Sequence, residues 1–359
     1  MAVGACGTCA TPLRFAPPTG GSIHAGRGGV WRYGDWLPCS YRPALDPGSP
    51  VRVIDAPGLA DALGVARTWL VDCSRLGTGT FKDLEAQVAL SAAADLGVDG
   101  LSVFSTGNTA RAYHEWARRI DARCRVAIPS THGEKLQGCI GTSRQPIVAV
   151  DGPPVDASSA ATAAAAEWSA SGLGPWWRLE GPATIAYAVA EHCPDAELVV
   201  QTIGSGFGPL GYELGFSRAA AISAFAGAQV LGAHRYLMFQ PADAAIVARV
   251  WRDPAGVPDV GLLPVDPFEP TLQSTNGPAT IAALRQLPID DIAAVEPAAV
   301  RDYRERVEDL LDDSGVTLDF DREKSTFIAL TGLLERRLDP TSRLAIVVTG
   351  AAPLGMKTV

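Results

Sequence analysis

The chain has 359 residues, of which 47% are hydrophobic and 19% charged, and its formal net charge is -9 at pH 7. This length predicts two domains, and the large hydrophobic fraction excludes global disorder. The negative charge excludes nucleic acid as the main partner, because phosphate backbones bind clustered lysine and arginine. No apolar run has the length of a membrane span and no basic-then-apolar leader opens the chain, so we expect no membrane partner and a cytoplasmic location.

The N-terminal residues 1–50 are rich in glycine and proline and contain a Cys6-x-x-Cys9 pair. One such pair could supply half of a zinc site, but only His24 and Cys39 lie nearby and no second pair follows. We therefore predict an irregular arm that its tryptophans anchor to the body of the protein. The seven cysteines are scattered through apolar segments, which is typical of reduced thiols. The histidines show no metal-binding spacing, and we predict no metal site.

From about residue 51 the pattern becomes α/β. Strands are predicted at residues 51–54, 68–71, 100–104, 125–128, 147–150, 197–203 and 344–349, and residues 136–141 continue the alternation. Helices are predicted from residue 82 onward and at 110–120, 158–168, 182–190, 210–220 and 300–314. Such alternation indicates parallel strands covered by helices. The last strand is continuously apolar, which is typical of a strand covered on both faces.

The stretch Leu76-Gly-Thr-Gly-Thr-Phe-Lys-Asp-Leu-Glu85 leads a flexible loop into a helix whose first residue is Lys82. A lysine in this position is either a solvated first-turn residue or a partly desolvated amine. Burial would lower its pKa toward the nucleophilic form. The other motifs of the chain favour the second interpretation.

Two further loops follow strands. Ser105-Thr-Gly-Asn-Thr109 offers hydroxyls and free backbone N–H groups at a helix start, which suit a carboxylate, although a plain helix cap would have the same composition. Gly204-Ser-Gly-Phe-Gly208 would let the backbone approach a phosphate. A dinucleotide site competes for this loop, but Pro209 occupies the position of the third glycine of that fingerprint. In parallel sheets ligands bind beyond the carboxyl ends of strands.

Together these stretches suit pyridoxal phosphate, which needs an amine for its aldehyde, donors for its phosphate, and partners for its ring nitrogen and phenolic oxygen. The order Phe81-Lys-Asp83, Ser105-Thr-Gly-Asn-Thr109, Gly204-Ser-Gly-Phe-Gly208 and Thr349-Gly350 resembles the fold type II (tryptophan-synthase-β-like) pyridoxal phosphate enzymes, and within them threonine synthase. Val30-Trp-Arg-Tyr-Gly-Asp-Trp-Leu-Pro38 and Trp177-Arg-Leu-Glu-Gly181 are similar to the family's WRY…LP and YRLEG segments.

The resemblance implies an α/β fold of two three-layer α/β/α domains that face each other across the cofactor, in a homodimer. We expect an N-terminal arm over residues 1–60. A first α/β domain would span residues 61–185 and carry Lys82 with the carboxylate loop. A second would span residues 186–359 and carry the phosphate loop.

The same match implies the roles of the site residues. Lys82 would bind the cofactor as a Schiff base and act as the base at Cα, Asn108 would bind the phenolic oxygen, and Thr349 would face the ring nitrogen. A hydroxyl there leaves that nitrogen largely unprotonated, which favours elimination and replacement over transamination. The residues implied to hold the cofactor phosphate are Gly204, Ser205, Gly206, Phe207 and Gly208. Those implied to bind the substrate carboxylate are Ser105, Thr106 and Thr109.

The substrate is less well specified. In threonine synthases a Gln-Lys-Thr stretch after YRLEG helps to grip the phosphate of O-phosphohomoserine, whereas Pro182-Ala-Thr184 follows here. Arg178 is retained, and we assign it to the anionic side chain of the substrate. Gly107-Asn-Thr-Ala-Arg-Ala-Tyr113 is more similar to the cysteate-synthase-like branch, which acts on O-phosphoserine and sulfite. Arg111 within it is either a substrate ligand or a surface residue of its helix.

These motifs predict a pyridoxal-phosphate-dependent carbon–oxygen lyase or synthase that acts at the β or γ carbon of a small amino-acid substrate, phosphorylated on its side chain. Threonine formation from O-phosphohomoserine and β-replacement on O-phosphoserine both stay open. A catalytically silent binding protein with the same fold is an alternative. A dinucleotide-dependent oxidoreductase is another, and it would bind nicotinamide and lack colour.

Overall fold

The computed structural model describes residues 17–165, 177–253, 266–273 and 278–350. The Cys6-x-x-Cys9 pair and the end of the helix predicted at 158–168 lie outside these ranges. Within them the five cysteines are free thiols. Among the described residues no helix combines the length and the apolarity that crossing a bilayer requires.

The structure alternates strands and helices. The strands are β1 (Arg52–Asp55), β2 (Arg67–Asp72), β3 (Gly100–Phe104), β4 (Arg123–Pro129), β5 (Ile147–Val150), β6 (Leu198–Thr202), β7 (Arg235–Pro241), β8 (Ile289–Val295) and β9 (Arg343–Val348). The helices are α1 (Pro57–Leu63), α2 (Lys82–Asp95), α3 (Asn108–Arg119), α4 (Pro154–Ala165), α5 (Trp177–His192), α6 (Phe207–Ala219), α7 (Val230–Ala233), α8 (Ile246–Arg252), α9 (Pro278–Leu284), α10 (Pro297–Asp302), α11 (Arg304–Asp313) and α12 (Ser325–Leu334). Short 3-10 helices include Gly29–Trp36, Ser130–Leu136 and Pro270–Leu272.

The strands form two sheets. The larger has the order β1-β2-β9-β6-β7-β8, and the smaller has the order β3-β4-β5. All pairs are parallel except β1 with β2, which are antiparallel. The expectation of parallel strands throughout is therefore wrong for β1, which precedes β2 through the short helix α1 and lies at the sheet edge, where an antiparallel strand needs no long crossover.

Helices cover both faces of the large sheet. In β9, Ala345 and Val347 belong to one buried apolar cluster with residues of α5 and α6, while Leu344 and Ile346 belong to a second cluster with residues of α1, α11 and α12. Because successive side chains of a strand point to opposite faces, a strand covered on both sides must be apolar throughout. The continuous apolar run at the end of the sequence follows from this burial.

The small sheet packs against α3 and α4, and α2 packs between α3 and α5. This mixed α/β architecture, with two sheets and helical layers, confirms the predicted fold class. The division at residues 60 and 185 stays a prediction. Strand pairing joins β1 and β2 to the large sheet, and residue 185 falls inside α5.

Two predicted segments differ from the structure. Residues 136–141 form no strand, since the chain leaves the 3-10 helix Ser130–Leu136 and turns at Gly138, which has a φ of 86°. The acidic segment 300–314 is divided between α10 and α11. Its acidic residues are mostly exposed, while Val307 and Leu311 are buried against the large sheet's helical layer.

The described part of the N-terminal arm is anchored by its aromatic residues. Trp31 and Trp36 are fully buried, and their indole N–H groups donate to Leu45 O at 2.9 Å and Gly20 O at 2.8 Å. The Tyr33 hydroxyl donates to Glu191 at 2.7 Å. Burying large rings with their polar atoms bonded explains how a segment without regular strands holds its place.

Glycines allow α2, α5 and α6 to approach closely. A Cβ at Gly181 of α5 would lie 2.2 Å from Leu84 O of α2, and a Cβ at Gly215 of α6 would lie 2.3 Å from Ala183 O of α5. Real Cβ atoms do not tolerate such distances to backbone. The close packing matters for the site because α2 carries Lys82 and α5 carries Arg178.

We predict that Gly215→Ala destabilises the protein by about 1–3 kcal/mol, because the added methyl group must separate α5 from α6. Denaturant unfolding of the purified protein measures this. Gly58→Ala in α1 is the matched control, since a Cβ there meets nothing within 4 Å. An equal loss of stability in both variants would contradict the packing argument.

Candidate active site

A cavity of about 270 Å³ lies where four parallel strands end. It is lined by Lys82 beyond β2, the glycine turn beyond β6 and Thr349 beyond β9, and by Ser105, Thr106, Asn108 and Thr109 beyond β3. Carboxyl ends of parallel strands are the usual place for ligands in such folds. The residues predicted for the cofactor and the substrate all line this cavity except Arg111.

The loop before Lys82 is fixed on both sides. Phe81 N donates to Thr349 O at 3.0 Å, so the loop is bonded directly to the end of β9. Asp83 is buried and accepts hydrogen bonds from Thr78 N at 2.6 Å and from Trp116 Nε1 at 2.8 Å. Burial raises the pKa of Asp83 and these donors lower it, and the net result is a pKa raised to about 6. The side chain of Asp83 therefore ties the loop to α3 and leaves its neighbour Lys82 facing the cavity.

Lys82 lies beside the carboxylate of Glu85, which also binds the guanidinium of Arg178. Its Nζ is 3.6 Å from Glu85 Oε2, and Arg178 Nε donates to Glu85 Oε1 at 2.6 Å. Burial lowers the pKa of Lys82; Glu85 raises it and Arg178 lowers it again, with a net decrease. The Lys82 side chain is only 15% exposed, so the interpretation of Lys82 as a solvated first-turn residue is wrong.

The glycine turn leads directly into α6. Gly206 has a φ of 82°, and α6 begins at the next residue, Phe207, so that the N-terminal end of α6 lies at the cavity, which Phe207 and Gly208 line. Backbone N–H groups at a helix start and the positive end of the helix dipole stabilise an anion. A side chain at Gly204 would crowd the neighbouring backbone, since a Cβ there would lie 3.2 Å from Leu272 Cα. The Arg178 guanidinium lies 4.2 Å from the Phe207 ring centroid.

The loop after β3 turns directly into α3, and its role as a carboxylate receptor stays a prediction. Gly107 N donates to Ser105 Oγ at 2.9 Å, and α3 begins at Asn108. Ser105, Thr106 and Thr109 are buried and line the cavity. Gly107 has a φ of 159°, and a Cβ there would lie 2.9 Å from Thr271 Cγ2.

Glu323 is a cavity residue that sequence reasoning missed. The Asn108 side-chain amide and the Ser325 hydroxyl both donate to it. Burial raises the pKa of Glu323, and the nearby carboxylate of Glu269 raises it further. Its sequence context, Asp321-Arg-Glu-Lys-Ser325, has no chemical motif, so only the approach of α12 to α3 brings it to the site.

A buried ion pair lies behind Glu323 and joins the two halves of the site. Lys135 Nζ donates to Glu269 Oε1 at 3.0 Å and to Arg322 O at 2.6 Å. Thr271 Oγ1 donates to Glu269 at 2.8 Å. Lys135 follows β4 of the small sheet, whereas Glu269 and Arg322 belong to segments that pack on the large sheet. These bonds connect the segment after β4 to two segments that contribute Thr271 and Glu323 to the lining of the cavity.

Arg111 lies outside the main cavity. It lines two neighbouring depressions, and its Nη1 donates to Gln137 O at 3.2 Å. The assignment of Arg111 as a substrate ligand stays a prediction, and the structure gives it no side-chain partner in the main cavity.

One group of potential metal ligands is present in the part of the chain that the structure describes. It consists of His114, Glu115 and Cys139, whose ligand atoms all lie within 4.8 Å of one another. Arg118 Nη1 also lies 3.5 Å from Glu115, and the positive charge disfavours a cation there. Sequence spacing did not indicate this group because Cys139 comes from a different segment.

The cavity fits pyridoxal phosphate in its donor set. The buried hydroxyl Oγ1 of Thr349 has no hydrogen-bond partner among the described residues, and an unpaired buried hydroxyl is costly unless a ligand completes it. Thr349 would pair with the ring nitrogen, the turn from Gly204 to Gly208 would hold the phosphate, and Asn108 would meet the phenolic oxygen. Lys82 supplies the amine. The roles themselves stay predictions.

Comparison with known proteins agrees with this assignment. The profile of the family described as "Pyridoxal-phosphate dependent enzyme" matches residues 45–315. The match favours pyridoxal phosphate over a dinucleotide as the ligand of the glycine turn.

Curated relatives are similar over part of their length. A cysteate synthase of Methanoculleus marisnigri is 29% identical over 196 residues, which cover 50% of this chain and 44% of that protein. A threonine synthase of Synechocystis sp. is 27% identical over 233 residues, which cover 60% of each. The chain thus spans about half the length of the curated relatives that it matches.

Solved structures share the fold. Maize serine racemase has a TM-score of 0.65 and 18% identity, with 85% of this chain and 90% of that chain covered. Diaminopropionate ammonia lyase from Escherichia coli has a TM-score of 0.64 and 15% identity, with 87% and 85% covered. With the family profile matched over most of its length and this fold around a lysine-bearing cavity, the chain belongs to the pyridoxal-phosphate dependent enzyme family.

Proposed function

We propose that the protein is a pyridoxal-phosphate-dependent lyase or synthase of the threonine-synthase type. It would catalyse elimination or replacement at the β or γ carbon of an O-phospho amino acid, such as O-phosphohomoserine to threonine. One observation carries the proposal: the Lys82 amine, the glycine turn before α6 and the unpartnered Thr349 hydroxyl face the same cavity. The names of the relatives, threonine synthase and cysteate synthase, support the reaction class.

When bound, pyridoxal phosphate would take up the electron pair that is left on the substrate Cα as its proton departs. Lys82 Nζ would accept that proton, and its lowered pKa increases the fraction of neutral amine. The Thr349 hydroxyl would share one hydrogen bond with the ring nitrogen and leave that nitrogen unprotonated. An aspartate in the same place would keep the nitrogen protonated. The hydroxyl therefore favours elimination and replacement over transamination.

Substrate binding would divide between two anion sites. Ser105, Thr106 and Thr109 at the start of α3 would bind the α-carboxylate through hydroxyl and backbone donors. Arg178 would bind the anionic side chain. Its Nε is engaged by Glu85, so its two terminal nitrogens are the atoms available for a bidentate contact with phosphate.

A cysteate-synthase-like β-replacement on O-phosphoserine is the second candidate. Several matched curated relatives carry the name cysteate synthase, which favours it. The substrates of the two candidate reactions differ by one methylene group, which O-phosphohomoserine has and O-phosphoserine lacks. We further propose that the enzyme acts in the cytoplasm as a homodimer, which size-exclusion chromatography with light scattering would test.

We expect the purified protein to bind pyridoxal phosphate with a visible absorbance band that Lys82→Ala abolishes, because the bond to the cofactor needs the amine. Absorbance spectra after reconstitution measure this. Lys324→Ala is the matched control, since Lys324 does not line the cavity. A colourless wild-type protein that takes up no cofactor would reject the proposal, including the silent cofactor-binding alternative.

Phosphate release distinguishes the substrates. We expect the holoenzyme to release phosphate from O-phosphohomoserine or from O-phosphoserine, the latter with sulfite as acceptor. Arg178→Gln should raise KM for the active substrate by about tenfold or more, because a charge-assisted contact to phosphate is lost. Release from neither substrate, with the visible band present, would reject both and leave a silent binding protein.

A further inference from the structure

Glu85 is a buried carboxylate one helical turn after Lys82. It has no exposed surface, and its Oε1 accepts hydrogen bonds from Arg178 Nε at 2.6 Å and the Tyr113 hydroxyl at 3.2 Å. Its Oε2 accepts no hydrogen bond from any described residue and lies 3.6 Å from Lys82 Nζ. One oxygen is thus fixed by two donors, and the other is left facing the amine.

We propose that Glu85 is a positioning residue that holds the Lys82 ammonium after Lys82 has taken the proton from the substrate Cα. The inference rests on the proposed function. In the step concerned, the Cα–H bond breaks, its proton becomes the third N–H of Lys82, and the electron pair stays with the carbon. Glu85 Oε2 accepts a hydrogen bond from the new ammonium and exchanges no proton itself.

The charges around Lys82 suit an arrangement in which Lys82 takes the proton and Glu85 binds the resulting ammonium. The groups that face it are Glu85 from α2, Arg178 from α5 and Glu323 from the segment before α12, with Tyr113 of α3 bonded to Glu85. Burial opposes ionisation of Glu85, but Arg178 and Lys82 hold its pKa below the usual value. Arg178 therefore keeps Glu85 a carboxylate, and the carboxylate favours the ammonium form of Lys82.

A purely structural ion pair would not account for the free oxygen. A buried carboxylate that served only to neutralise Arg178 would be expected to bond through both oxygens, because each unpaired buried acceptor costs free energy. Glu180, on the same helix as Arg178, is a buried carboxylate that differs from Glu85 in this respect. Both of its oxygens accept from Arg218, and neither residue lines the cavity.

The pH dependence of Lys82 reactivity tests the proposal without a substrate. The chain has four lysines, Lys82, Lys135, Lys324 and Lys357, so each is followed separately by peptide mass spectrometry. The full-length protein, freed of cofactor, is methylated reductively with formaldehyde and cyanoborohydride over a pH series. In Glu85→Gln we expect the Lys82 midpoint to fall by about one pH unit or more, since a nearby opposite charge is removed while Arg178 stays.

Controls separate this effect from a change in packing. Glu85→Asp keeps the charge, and its Lys82 midpoint should lie closer to that of the wild type than to that of Glu85→Gln. Glu85→Ala, which also removes the charge, replaces Glu85→Gln if the latter does not fold by circular dichroism. Glu180→Gln removes a buried carboxylate from an arginine pair outside the cavity and should leave the midpoint unchanged. Lys135 and Lys324 are internal references in every sample.

An unchanged Lys82 midpoint in a folded variant that lacks the Glu85 carboxylate would overturn the proposal, and so would an equal shift in Glu180→Gln. In the holoenzyme, the pH dependence of the visible band should move in the same direction in Glu85→Gln. Failure of both phospho substrates with the labelling shift present would reject the proposed substrates and leave the Glu85–Lys82 coupling intact. Phosphate release from one of the substrates without a labelling shift in Glu85→Gln would reject the Glu85–Lys82 coupling alone.

Discussion

The site depends on a lysine amine buried beside one carboxylate and one guanidinium. An isolated buried amine would lose its proton and an isolated buried carboxylate would gain one, so neither alone gives a group that can both accept and hold a proton. In the arrangement of Lys82, Glu85 and Arg178, one carboxylate faces both basic groups, at 3.6 Å from the amine and 2.6 Å from the guanidinium. This arrangement depends on α2 and α5, which approach each other closely at Gly181, and on α3, whose Tyr113 hydroxyl donates to Glu85.

A second set of polar contacts connects segments that line the cavity or lie next to it. The pair of Lys135 with Glu269, and the bond from Asn108 to Glu323, connect the small-sheet side to segments packed on the large sheet. Burying these charges is costly unless every group is bonded. Both contacts join segments far apart in the chain, so they help to hold the lining of the cavity together.

The sequence determined the elements that carry the chemistry. Apolar periodicity fixed the strands that end at Phe104 and Val348, and glycines with positive φ or close approach could be located at Gly107 and Gly206 because no other residue suits a tight turn into a helix. The order of the loops was enough to indicate the family and its cofactor. These features are local, so a single sequence contains them.

Tertiary structure decided which residues face one another. The antiparallel edge strand β1, the carboxylate of Glu323 in the cavity and the engagement of Arg178 by Glu85 all depend on contacts between segments far apart in the chain. Arg111 and Asn108 stand three residues apart on α3, yet only Asn108 faces the main cavity. Spacing along a helix tells which residues share a face, but only the packing of that helix decides what the face meets.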